Sequence, residues 1–166
     1  MGTRMTVDKN APIVPGISLG GINLRITLKD CYDLVKSFSW IDKKTYRNAS
    51  VSLYSDFHIG YELQDTIVLV FHAMNGKLMK IIAKKNYNGA YKCITVGMSI
   101  SKARQIVKEF EYDEDEEYYY IKGVKGIVFD ADACDEYIEA ISVHIKELDE
   151  YQGDFSKWEE LERGNW

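Results

Sequence analysis

The sequence predicts an α+β protein: two tandem units, each a helix followed by an antiparallel β-meander, that together form a curved sheet backed by the helices. Three observations lead there. A segment repeats at an offset of 72 residues, and alternating or continuous apolar runs bounded by turn residues follow each copy. The 166 residues are 46% apolar with two prolines, enough for one core of ordinary size or two small ones.

Residues 1–15 read as an N-terminal extension, 16–88 as the first unit, 89–147 as the second, and 148–166 as a C-terminal segment with a short helix. The repeat aligns INLRITLKDCYDLVKSFSW (22–40) with ITVGMSISKARQIVKEFEY (94–112), with identities at Ile22/Ile94, Val35/Val107, Lys36/Lys108 and Phe38/Phe110. Leu28, Cys31, Leu34, Val35 and Phe38 in one copy, and Ile100, Ala103, Ile106, Val107 and Phe110 in the other, fall on one face of a three-turn amphipathic helix. Thr27 and Ser99 stand at the N-cap positions, and Asp30 favours the first-turn end of the helix dipole.

Strands are expected after each helix. In the first unit they are Val51–Tyr54, His58–Glu62, Thr66–Phe71 and Lys77–Ala83, with Asn75-Gly76 as a hairpin turn. In the second they are Glu117–Ile121, Gly126–Ala131 and Tyr137–Ile145, where Ile141, Val143 and Ile145 alternate. Asn88-Gly89 marks the turn between units. The last helix is expected over Asp154–Arg163, holding Trp158 and Leu161 to the body and ending at Gly164.

Charge divides the chain. Formal net charge is −5, yet residues 1–92 hold 13 Lys/Arg against 7 Asp/Glu, and residues 93–166 hold 8 against 19. The first part is thus at +6 and the second at −11, an asymmetry that suggests an interaction surface. Six acids crowd seven positions, Glu111, Asp113, Glu114, Asp115, Glu116 and Glu117, and Tyr118, Tyr119 and Tyr120 follow at once. A self-repelling, solvated run is poor material for a general acid, which needs an isolated carboxyl in an apolar pocket. It suits steering of a basic partner, with tyrosines as stiff amphipathic anchors and Asp132, Asp135 and Glu136 extending the rim. A charged loop ahead of an ordinary Tyr-rich strand is the plainer reading of the same residues.

Other chemistry finds no support. His58, His72 and His144 are scattered, and no His or Cys pair has metal-ligand spacing. Cys31 lies on the apolar stripe, Cys134 is flanked by Asp132 and Asp135, and neither has a base to activate it. The three cysteines are expected as free thiols of a reducing compartment, which points to the cytoplasm. Ser18-Leu19-Gly20-Gly21 and Gly123-Val124-Lys125-Gly126 lack the phosphate-loop pattern and read as bends. Lys77, Lys80, Lys84, Lys85 and Lys92 interleave with Tyr87 and Tyr91, but no RNA-binding motif accompanies them, and strand alternation with Lys80 and Lys84 outward explains them equally. No enzyme activity, cofactor, metal, membrane contact or direct nucleic-acid binding is expected.

The phrase TVGMSISKARQIVKEF and its partner NLRITLKDCYDLVKSF resemble the tandem helix–meander units of β-lactamase inhibitor protein and the related fold of small outer-membrane assembly lipoproteins, over most of residues 16–146. Arg25 stands where that phrase has a glycine. In its acidic, non-catalytic character the chain is also similar to immunity proteins of bacterial polymorphic-toxin and contact-dependent inhibition systems. These resemblances imply a binding protein that neutralises a cognate cationic toxin such as a nuclease. The alternative is a scaffold or assembly module that inhibits nothing.

Overall fold

The structure, a computed structural model, describes residues 5–40, 49–55, 57–63 and 65–166. In chain order the elements are β1 (Ser18–Leu19), β2 (Ile22–Asn23), α1 (Tyr32–Trp40), β3 (Ala49–Ser55), β4 (His58–Leu63), β5 (Ile67–His72), β6 (Leu78–Ala83), α2 (Ile100–Ile106), β7 (Phe110–Asp113), β8 (Tyr118–Ile121), β9 (Ile127–Ala131), β10 (Ile138–His144), α3 (Glu147–Glu150) and α4 (Phe155–Glu162). The fold is α+β and mostly sheet. Eight antiparallel strands lie in the order β3-β4-β5-β6-β10-β9-β8-β7, and β1-β2 form a separate hairpin. Two chain-contiguous meanders therefore meet where β10 pairs with β6.

Register explains which residues form the core. One row crosses the sheet on one side through seven strands: Leu63, Ile67, Ala83, Ile141, Phe129, Tyr119 and Tyr112. The neighbouring row on that side runs Val51, Tyr61, Leu69, Ile81, Val143 and Ile127. The opposite side carries Ser52, Gly60, Val70, Lys80 and His144. All six residues of β5 are buried, so both sides of the central strands are covered. On the first side the β1–β2 turn comes down close to Ile67 and Arg104 of α2 lies over the Tyr119 ring. On the second, Asp149 of α3 bonds His144 and Trp166 packs edge-on against His72. Each fully buried aliphatic side chain in these rows stabilises the fold by about 1.5–3 kcal/mol.

Every expected strand is present within two residues of its expected bounds, and Asn75-Gly76 turns the β5–β6 hairpin with Gly76 at φ +68°. The helices needed correction. At the first, Thr27 and Asp30 do make the reciprocal cap: Thr27 N–H donates to Asp30 Oδ2 (2.9 Å) and Asp30 N–H to Thr27 Oγ1 (3.3 Å). The regular helix nevertheless begins only at Tyr32: the preceding turn is closed by tighter bonds, Asp30 N–H to the Thr27 carbonyl and Tyr32 N–H to the Lys29 carbonyl, while Leu28 N–H donates to the Gly76 carbonyl and Thr27 bridges Lys77. Cys31 and Leu34 are buried as expected; the side chain of Phe38 lies outside the described residues.

The second helix stops at Ile106, which is 39% exposed, and Val107 caps it in extended conformation. Phe110 belongs to β7, a strand the sequence reading placed partly in a helix and partly in a loop. Its ring stacks on Tyr119 (5.2 Å) and meets Phe129 edge-on (5.0 Å), contacts a helical Phe110 could not keep. Three further elements were not expected as such: β1 and β2, joined by Gly20-Gly21 at φ +68° and +73°, the left-handed pair that a two-residue hairpin requires, and the single turn α3. At α4 Asp154 lies just ahead of the helix and caps it, its Oδ1 accepting from Lys157 N–H (3.2 Å). Leu161 is buried, whereas Trp158 lies partly exposed along the helix and donates to Glu162.

Burial of histidines on the second side gives an expected pH response. His58 and His72 face each other across β4–β5, 5.7 Å between ring centroids. Burial holds the pKa of each below the ordinary 6.5; at His58 the charges of His72 and Lys80 add to it and Glu162 opposes it. A base with a depressed folded pKa takes up its proton more readily when unfolded. Its contribution is complete above about pH 6.5 and is lost as pH falls through the folded value. The urea midpoint should therefore drop between about pH 7.5 and about pH 5, and His58→Gln should shallow that drop. A midpoint flat across this range would refute it. Asp149 acts in a different window. Burial pushes its carboxyl up, but His144 and the Gly126 N–H hold it below the ordinary 3.8, so its contribution is lost only under more acidic conditions.

Candidate functional site

The acidic run forms an edge hairpin. β7 is the outermost strand and pairs with β8 through Phe110/Ile121, Glu111/Tyr120, Tyr112/Tyr119 and Asp113/Tyr118. Asp113 builds the turn, its Oδ1 accepting from Asp115 N–H (3.0 Å) and Glu116 N–H (3.1 Å). Glu117 closes the turn at φ +58°. Glu114, Asp115, Glu116 and Glu117 form the exposed tip, and among the described residues no lysine or arginine lies within ion-pair distance of them.

Strand alternation separates the three tyrosines. Tyr119 is 3% exposed, so its ring is core rather than a surface anchor. Its hydroxyl donates to Asp135 Oδ2 (2.9 Å), and burial and this bond both raise its pKa. Tyr118 and Tyr120 point to the other side, half-buried; Tyr118 Oη accepts from Gln152, and Tyr120 donates to Glu111 (2.9 Å), which also lies near Lys122 (3.9 Å). The aromatic surface that remains beside the acids is Tyr112, whose ring is tilted at 50° against Tyr119 with centroids 4.9 Å apart, and Tyr137, 41% and 50% exposed respectively.

Tyr119 also ties the hairpin to the β9–β10 connection. Asp132 organises that connection: its Oδ1 accepts from Glu136 N–H (2.8 Å) and Tyr137 N–H (2.9 Å), and these bonds, Tyr137's first, hold its carboxyl below the ordinary range. Asp135 sits at φ +58° to reach Tyr119, while Glu136 is exposed without such a task. Between this connection and the start of α2 lies a cleft of about 420 Å³, with Ser99, Arg104, Tyr119, Asp135, Glu136 and Tyr137 in its walls. Arg104, 5.5 Å from the Tyr119 ring centroid, supplies the one cation of this lining. The structure therefore brings Tyr119, Asp135 and Glu136 together, keeps Glu111 with Tyr120 on the far side, and leaves the tip free. Arg104, Tyr112 and Tyr137 were missed; the alternation Phe110, Tyr112 carried a strand signal that the helical spacing ending at Phe110 concealed.

A second cleft, about 600 Å³, opens at the other side of the sheet between Lys84, Lys85 and Asp65 on one flank and Asp130, Asp132 and Glu139 on the other. Asp130 lies in its wall, and burial raises the Asp130 pKa and lowers that of Lys80, while the charge of each partly offsets the shift of the other. Lys80, expected to point outward, is half-buried. The basic cluster is dispersed as well. Tyr87 is buried, donating to the Ala11 carbonyl (2.6 Å), Lys84 pairs with Glu62 (2.8 Å), and Lys77 donates to the Trp166 carbonyl (2.7 Å).

Cys31 is buried, which pushes its pKa up to about 11, while Cys93 and Cys134 are exposed free thiols. Among the described residues no group of three or more His, Cys, Asp or Glu is placed to hold a metal ion, and no helix is long and apolar enough to cross a membrane. No family model, curated protein or solved structure matches the chain.

Proposed function

We propose that this chain is a bacterial immunity protein: it binds a cognate cationic protein toxin, a nuclease being the class its surface suits, and neutralises it by occupying it. In this reading it acts in the cytoplasm and catalyses nothing. The observation that carries it is the hairpin tip, where four consecutive carboxylates, Glu114–Glu117, project from the sheet edge without a counter-charge among the described residues. Nucleases offer basic clefts to phosphates, and a dense acidic projection is the complementary shape of charge. Such complementarity raises association rates to about 10⁸ M⁻¹s⁻¹ or more at low salt. Tyr112 and Tyr137, exposed beside the acids, supply the aromatic contact in place of Tyr118–Tyr120.

The same reading takes α1 with β3–β6 and α2 with β7–β10 as two tandem units, 16–88 and 89–147. The 72-residue offset of the sequence repeat and the β6–β10 junction support it. The test is capture of partners on the tagged protein from source-cell lysate, at low salt and at about 0.5 M, where screening is nearly complete. A single basic partner, stoichiometric and lethal when expressed alone, is the expected result. An acidic or multi-component set would favour the scaffold, and bound RNA would return attention to the lysines.

A further inference from the structure

We propose that the protein forms a two-fold dimer through β3, whose outer edge, unpaired among the described residues, pairs antiparallel with β3 of a second copy. This does not rest on the toxin reading. The two edges of the sheet differ in kind. Sheet edges of monomers are blunted by shortness, charge or proline, because an open ladder invites another strand. β7 is blunted, with four residues that include Glu111 and Asp113. β3 is less protected: it has seven residues, Ala-Ser-Val-Ser-Leu-Tyr-Ser, with no charge and no proline, and its register with β4 is broken only between Leu53 and Ser55; among the described residues a strand lies on one side of it only.

Its exposed side chains continue the core. Val51 and Leu53 are 65% and 77% exposed. Yet register places Val51 in the row of Tyr61, Leu69, Ile81 and Val143, and Leu53 in that of Ile59 and Phe71. Two core-facing rows thus run out into solvent at β3.

Backbone geometry makes the edge self-complementary. The Phe57 carbonyl accepts from Ala73 N–H, so odd-numbered residues of β4 bond towards β5 and even-numbered ones towards β3. Ser52, opposite Gly60, therefore turns its N–H and C=O inward, and Val51 and Leu53 turn theirs to the outer edge. A two-fold axis at Ser52 sets Val51 of each copy against Leu53 of the other. Those pairs then exchange backbone hydrogen bonds while their side chains meet on the core-facing side.

Charge selects a second β3 over the alternative strand. Pairing β3 with β7 of another copy would set Glu111 and Asp113 beside an uncharged strand and would propagate without closing. Pairing β3 with β3 closes at two, and it holds the acidic hairpins at opposite ends of the joined sheet, where their like charge opposes it least.

Sedimentation of the full chain from about 1 to about 200 µM is expected to show a monomer–dimer equilibrium and nothing larger. Val51→Lys and Leu53→Lys should each raise the dissociation constant at least about tenfold, and Phe155→Ser, at the 85% exposed aromatic of α4, should leave it unchanged. In a Cys93→Ser/Cys134→Ser background, Ser52→Cys should cross-link two copies under oxidised glutathione, since directly opposed non-bonded positions lie about 4.5 Å apart, within disulfide range. A chain that stays monomeric and does not cross-link through position 52 overturns the proposal. So does a dimer that survives both lysine variants or is lost with Phe155→Ser, or a ladder of higher oligomers.

Discussion

Gly126→Ala is expected to destabilise the protein by about 3–5 kcal/mol, while Gly123→Ala, three residues earlier, should lose only about 1–2 kcal/mol. Both glycines sit at nearly the same positive φ, +82° and +81°. Both variants therefore bear the cost of a side chain in left-handed backbone. They differ in what surrounds them. A Cβ at Gly123 meets nothing within 4 Å, whereas one at Gly126 would stand 2.4 Å from Gly16 N, 2.5 Å from Gly16 Cα and 3.0 Å from the His144 carbonyl. Those neighbours are backbone and cannot rotate away. Gly126 is also a junction. Its carbonyl accepts from Gly16 N–H (3.0 Å) and His144 N–H (3.1 Å), and its own N–H donates to Asp149 Oδ2 (2.6 Å). Relieving the clash would thus loosen the N-terminal segment, the end of β10 and α3 together. Urea midpoints of the two variants decide the matter: equal losses would mean that the backbone conformation alone sets the cost and that the contact with Gly16 yields freely.

What the sequence disclosed and what it concealed divide along the range of the forces involved. The Asn75-Gly76 turn, the C-terminal helix and the alternation through Ile141, Val143 and Ile145 are local, and each stands where the sequence put it. Phe110 could not be placed locally. Ile100, Ala103, Ile106, Val107 and Phe110 satisfy helical spacing, and Phe110 with Tyr112 equally satisfies a strand. The decision comes from Tyr119 and Phe129, rings that stack on Phe110 only once β8 and β9 are assembled. The same limit hid the half-burial of Lys80. Alternation correctly set it opposite Met79 and Ile81, but how far that opposite side meets water is decided by tertiary packing. In the candidate site, the acids were evident from composition. Their division into builders and free charges was not, because it depends on which backbone N–H groups each carboxylate meets.

That division yields the largest expected functional effect. Replacing the tip as Glu114→Gln, Asp115→Asn, Glu116→Gln and Glu117→Gln is expected to slow association with the basic partner by about tenfold to a hundredfold at low salt and to flatten its salt dependence. The dissociation rate and the urea midpoint should change little. Asp113 and Asp132 are left intact because each accepts two backbone N–H bonds and holds a turn; removing either would confound lost charge with a misshapen loop. The tip acids hold no such turn, and their charge acts over a Debye length of about 30 Å in 0.01 M salt but about 10 Å at 0.1 M. Steering should therefore vanish for wild type at high salt, where the two proteins should associate at the same rate. Tyr112→Ala and Tyr137→Ala should behave in the opposite manner, speeding dissociation with little change in association, since aromatic contacts act only after docking. An association rate that the tip variant leaves untouched at every salt concentration would make Glu114–Glu117 an ordinary solvated turn. The cleft walled by Arg104, Asp135 and Tyr137 would then be the remaining place for a partner to engage.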